Sequence, residues 1–101
     1  MHLIQILLPL YDNGGAPFGA EHFRPVREEL SNRFGGLTAF TRAPAEGLWD
    51  DDGKRHHDDV VVYEVMADEL DREWWRSYRA TLEKAFRQDV ILMRAQAIEL
   101  L

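Results

Sequence analysis

Apolar and polar residues alternate along His2–Pro9, with Ile4, Ile6 and Leu8 on one side and Leu3, Gln5 and Leu7 on the other. That is the period of a β-strand. Tyr11–Phe18 breaks the pattern with Asp12-Asn13-Gly14-Gly15 and Pro17, the composition of a mobile loop. From about Gly19 to Phe34 the apolar positions fall at helical spacing, with Phe23, Val26, Leu30 and Phe34 on one stripe. Pro25 marks either the first residue of the main helix, after a separate turn, or a kink within it. Gly35-Gly36 ends the helix.

A second strand is expected over Leu37–Arg42 and a third over Asp59–Met66, where Val60, Val61 and Val62 lead into Tyr63. Between them, Asp52-Gly53 suits the turn of a hairpin, because Gly supplies positive φ without steric cost. Asp68 is the expected N-cap of a second helix, about Glu69–Arg87, whose stripe is Trp75, Tyr78, Leu82 and Phe86. Trp74 and Trp75 lie about 100° apart on such a helix, so one belongs in the core and the other on its flank. Val90–Glu99 closes the chain as a fourth strand.

The order β-α-β-β-α-β over residues 1–101 predicts one α+β domain of the ferredoxin-like arrangement. Its antiparallel four-stranded sheet carries two helices on one face. Right-handed crossovers put the first and third strands in the middle, in the order 4-1-3-2, and these are the most apolar strands. Helices cover only one face of such a sheet, yet both faces of these strands carry large aliphatics. Ile4, Ile6, Leu8, Val61, Tyr63, Val65, Ile91 and Met93 oppose Leu3, Leu7, Val60, Val62, Val90 and Leu92. A homodimer packed sheet against sheet, in the manner of a dimeric α+β barrel, is the expected way to bury the second set.

Composition narrows the chemistry. The chain has 101 residues, no cysteine and a 46% hydrophobic content, which fits a globular domain and excludes disulfides and thiolate chemistry. The net charge is −6 and the basic residues are interspersed with acids, so no nucleic-acid partner is expected. The longest apolar run, Ile6–Tyr11, is too short to span a bilayer. No membrane association is expected, and without a recognisable export signal the expected compartment is the cytoplasm.

Candidate chemistry concentrates in two places. The first is the segment from Trp49 to Asp59, with His56-His57-Asp58-Asp59 following the Asp50–Asp52 run. Neighbouring strand residues point to opposite faces, so His56 and His57 cannot readily share an ion. The cluster is read as a solvated polar hairpin with no metal and no cofactor. Trp49 either pins that hairpin to the domain or forms the wall of a ligand pocket, with His56 or His57 as the polar contact. The second place is the polar minority on the sheet, namely Gln5, Glu64, Arg94, Gln96 and Arg42, with Tyr63 beside them. Polar groups converging in an apolar cavity orient a small ligand. Glu64 is the candidate general base, with Arg94 orienting a substrate and His22 at the cavity mouth. The simpler expectation is a Glu64–Arg94 cross-strand ion pair.

Arg33-Phe34-Gly35-Gly36-Leu37-Thr38, followed by Gly47-Leu48-Trp49-Asp50-Asp51-Asp52-Gly53 and the Val60–Val65 strand, resembles a family of small bacterial proteins of unknown function. That family has a Gly-x-Trp-x-Asp-x-Gly segment ahead of a hydrophobic strand and a helix. The resemblance covers roughly residues 20–90 and implies the α+β fold and a role for the tryptophan segment, but no mechanism. The functional expectation is therefore a dimeric domain that binds a small apolar or aromatic molecule or serves as an interaction module. The alternative is a cofactor-independent α+β-barrel enzyme, an oxygenase or isomerase, with Glu64 as base.

Overall fold

The computed structural model describes residues 1–42 and 59–101. Its elements run β1 (His2–Pro9), α1 (Ala20–Phe34), β2 (Thr38–Arg42), β3 (Val60–Ala67), α2 (Arg72–Ala85) and β4 (Leu92–Ala97). The four strands form one antiparallel sheet in the order β2-β3-β1-β4. The β-rich, apolar β1 and β3 occupy the middle. The architecture is α+β and compatible with a ferredoxin-like arrangement.

Ile4, Ile6 and Leu8 of β1 join Val61, Tyr63 and Val65 of β3 in a single buried cluster. Val26 and Leu30 of α1, and Trp75 and Leu82 of α2, complete it, so both helices lie on that face of the sheet. Ile91 and Phe86 seal its ends. Among the described residues, no helix lies against the opposite face, which carries Leu3, Gln5 and Leu7.

Several local expectations need correction. Helix α1 is continuous from Ala20, and Pro25 sits inside it. The proline therefore forgoes one helical hydrogen bond, a loss that the burial of Val26 and Leu30 on the core side offsets. Gly35 ends the helix in a left-handed conformation at φ 77°, its N–H bonded to the Ser31 carbonyl, which a glycine adopts without strain. Helix α2 is capped by Asp71 rather than Asp68: the Asp71 carboxylate accepts from the Trp74 N–H at 3.1 Å. Strand β3 stays paired as far as Ala67, opposite His2, so Asp68–Leu70 are consumed in turning from the sheet onto its helical face. Strand β4 is shorter than expected, because Ile91 leaves the ladder to bury itself and Val90 is exposed.

The Asp12–Gly15 segment is a tied turn, not a mobile loop. The Asp12 carboxylate accepts from the N–H groups of Gly14 and Ala16, both at 2.9 Å. Asn13 donates to the Arg87 carbonyl at 3.2 Å, which fastens the turn to the end of α2. Of the two tryptophans, Trp75 is in the core. Trp74 is half-buried on the flank, stacked on Tyr78 with the Arg33 guanidinium 4.1 Å from its ring centre.

Candidate functional site

Strand pairing turns the uncovered face into rows that run across the sheet. In the ladders, Gln5 stands opposite Glu64 on one side and Arg94 on the other, and Glu64 stands opposite Thr38. Two residues along, Leu7 stands opposite Val62 and Leu92, and Val62 opposite Phe40. A polar row, Thr38–Glu64–Gln5–Arg94, therefore lies beside an apolar row, Phe40–Val62–Leu7–Leu92. Leu3 and Met66 flank the polar row on its other side.

The polar row is internally bonded. Arg94 Nε donates to Gln5 Oε1 at 2.8 Å, and Gln5 Nε2 donates to Glu64 Oε2. One amide thus joins a guanidinium to a carboxylate. The expected direct Glu64–Arg94 ion pair is not what connects these charges. Strand β1 runs between β3 and β4, so the two side chains start about 10 Å apart and need Gln5 as a bridge. Charge assistance from both ends strengthens the two hydrogen bonds and fixes the rotamer of Gln5.

The apolar row is unevenly covered. Val62 is 2% exposed, whereas Phe40 is 43% and Leu92 50% exposed. Met66, across the polar row beside Leu3, is 49% exposed. Four strands and about six residues give the face sides of roughly 15–20 Å. Its area is then a few hundred Å², shared between the polar and the apolar rows.

The other candidates fall elsewhere. Tyr63 is buried on the helix side, so it does not share a site with Gln5; its hydroxyl accepts from Arg27 Nη1 at 3.4 Å. His22 is likewise in the helical layer. Its ring packs 4.7 Å from Phe18 and 5.5 Å from Phe86, and it lines a groove with Val26, Tyr78 and Leu82. The sheet separates it from the Glu64 carboxylate, so it cannot stand at the mouth of a Glu64 site. Period-two alternation decides the case of Tyr63, because Tyr63 and Glu64 are adjacent and must face opposite ways; His22 is placed by helix α1.

Trp49, His56 and His57 lie outside the described residues. Among the described residues, no group of three or more His, Asp or Glu side chains is placed to hold a metal ion. No helix among them is long and apolar enough to cross a membrane.

Two features were not anticipated from sequence. Phe40, on an edge strand, completes the apolar row, which only the pairing of β2 with β3 reveals. Arg72, Arg76 and Arg79 follow one another at helical spacing and line a cavity with Trp75; that spacing was legible and would have flagged them. A further cavity of about 430 Å³ at the end of the sheet is lined by Glu64 with Leu3, Phe34, Leu37 and Met66. In the helical layer, burial, then the charge of Glu29 and that of Tyr63, push the Tyr78 hydroxyl up to about 12. Tyr78 thus stays neutral in its stack on Trp74.

No protein-family model matches the chain, and no curated protein or solved structure matches it.

Proposed function

We propose that this chain is a self-associating interaction domain in which two copies pack open sheet face against open sheet face, as in a dimeric α+β barrel. The observation that carries this reading is the apolar row Phe40–Val62–Leu7–Leu92, which crosses all four strands on the side that neither helix covers. Sheets stack about 10 Å apart with nearly aligned strands, so rows on one sheet meet rows on the other.

The charges select the symmetry. A two-fold axis across the strands and through the polar row would set Glu64 over a second Glu64. An axis along the strands instead reverses each row while keeping polar over polar and apolar over apolar. Placed over β1, it sets Glu64 against the partner's Arg94 and Val62 against the partner's Leu92, each contact occurring twice. A charge complement of this kind lowers the cost of enclosing the polar row, whose hydrogen bonds are already made within each copy.

Sedimentation equilibrium over a concentration series tests the proposal. Wild-type protein should form a dimer. Leu92→Glu loses about 1 kcal/mol of apolar burial at each of two equivalent positions, a weakening of roughly thirtyfold before any charge penalty. A monomer at all concentrations, or a dimer indifferent to Leu92→Glu, removes the proposal.

The alternative, a cofactor-independent enzyme with Glu64 as general base, has one observation in its favour, the cavity beside Glu64. The Gln5 amide already occupies Glu64 Oε2, so Oε1 is the oxygen that would accept a substrate proton.

A further inference from the structure

The second cavity lies on the other side of the sheet, between α2 and the edge strand β4. Its volume is about 210 Å³. Ile4, Trp75, Met93 and Leu70 supply its apolar lining. The gap exists because Ala95, which pairs with Ile4 on the helix-facing side of β4, is too small to fill the space and remains exposed. Arg72, Arg76 and Arg79 of α2 line the same cavity.

This grouping is unusual for such a chain. Acidic residues outnumber basic ones 18 to 12, yet among the described residues no carboxylate lines the cavity. Arg72 and Arg76 are a like-charged pair one helical turn apart, and Arg72 sits in the first turn, against the positive end of the helix dipole. The like-charged pair disfavours the helix unless an anion shares its charge, while Asp71 and Glu73 offset Arg72 at the helix N-terminus. Among the described residues, Arg79 has a neighbour of opposite sign outside the cavity, with its Nε 3.7 Å from Glu83 Oε2. Arg94 also lines the cavity, but its Nε is committed to Gln5 on the open face.

We propose that this cavity binds a small organic carboxylate with a compact apolar body, one aromatic ring being the natural size. Guanidinium groups match a carboxylate in two-pronged geometry. The indole and aliphatic lining would take the apolar body, the usual division of labour in a small-ligand site. The volume equals about seven water shares of ~30 Å³ each, which suits a single ring. A bare inorganic anion would leave the apolar lining wet. The site is independent of self-association, because it opens on the helical side of β4.

Benzoate is the probe. Titrated into isotope-labelled protein, it should shift the Trp75 indole N–H signal, assigned by its loss in Trp75→Phe, and saturate with a Kd near or below about 1 mM. Arg76→Ala and the cavity-filling Ala95→Leu should each weaken binding at least tenfold while the remaining spectrum stays that of the folded protein. Benzyl alcohol, which lacks the charge, and inorganic phosphate, which lacks the ring, should also bind at least tenfold more weakly. An unmoved Trp75 signal overturns the proposal. So does benzoate binding that Arg76→Ala leaves intact, or phosphate binding as tight as benzoate.

Discussion

Replacing Gln5 by leucine isolates what the bridge across the open face contributes. The substitution keeps the strand and its approximate volume but removes the acceptor for Arg94 Nε, now 2.8 Å away, and the donor to Glu64 Oε2. The direct attraction between two charges about 10 Å apart in water-like surroundings is only ~0.4 kcal/mol. The hydrogen bonds therefore decide the outcome. Bonds to charged groups contribute roughly 1.5–3 kcal/mol each when buried. Glu64 and Gln5 are only partly buried and Arg94 is exposed, so water recovers much of this, leaving about 1–2 kcal/mol for the pair. For a domain of this length that lowers the melting temperature by roughly 5–15 °C. Thermal melts followed by circular dichroism, at one low protein concentration, read the shift. A Glu64→Gln, Gln5→Leu cycle apportions it. A Gln5→Leu protein melting within about 2 °C of wild type would refute the bridging argument.

Two other expectations concern the helical layer. Asp71→Ala removes the cap on the Trp74 N–H and should cost about 1 kcal/mol, whereas Asp68→Ala should cost much less, as urea titrations of both would show. Tyr78 ionises near 12 in the folded chain against an ordinary 10.0. The unfolded chain thus loses its proton first, and stability present below pH 10 should decline as pH rises through about 12. Alkaline titration of tyrosine absorbance, compared between wild type and Tyr78→Phe, should show that the group lost in the variant is a late-ionising one; loss of a group that ionises near 10 would contradict the assignment.

The strand and helix periods were readable because each element has one strongly apolar side: Ile4, Ile6 and Leu8 at period two, and Val26 and Leu30 at helical spacing. The helix boundary near Asp68 was not, since Asp68 and Asp71 are chemically equal caps and only the length of β3 chooses between them. Site geometry was less legible. Gln5, Glu64 and Arg94 were recognisable as the polar minority, but their connection depends on which strand lies between which. The expected order 4-1-3-2 already sets β1 between β3 and β4; what linear sequence does not display is the register that puts Gln5 opposite both Glu64 and Arg94. Residue type groups Tyr63 and His22 with them, but strand alternation places Tyr63, and helix α1 places His22, on the opposite side of the sheet. The Trp49, His56 and His57 expectations lie outside the described residues.

The central claim is that the open faces meet, with β3 of one copy over β4 of the other. Intermolecular methyl contacts in a sample mixing labelled and unlabelled copies test this most directly. Cross-peaks should connect the Val62 methyls to the partner's Leu92, and Leu7 to the partner's Leu7. Their absence, or intermolecular peaks confined to residues of the two helices, would contradict it.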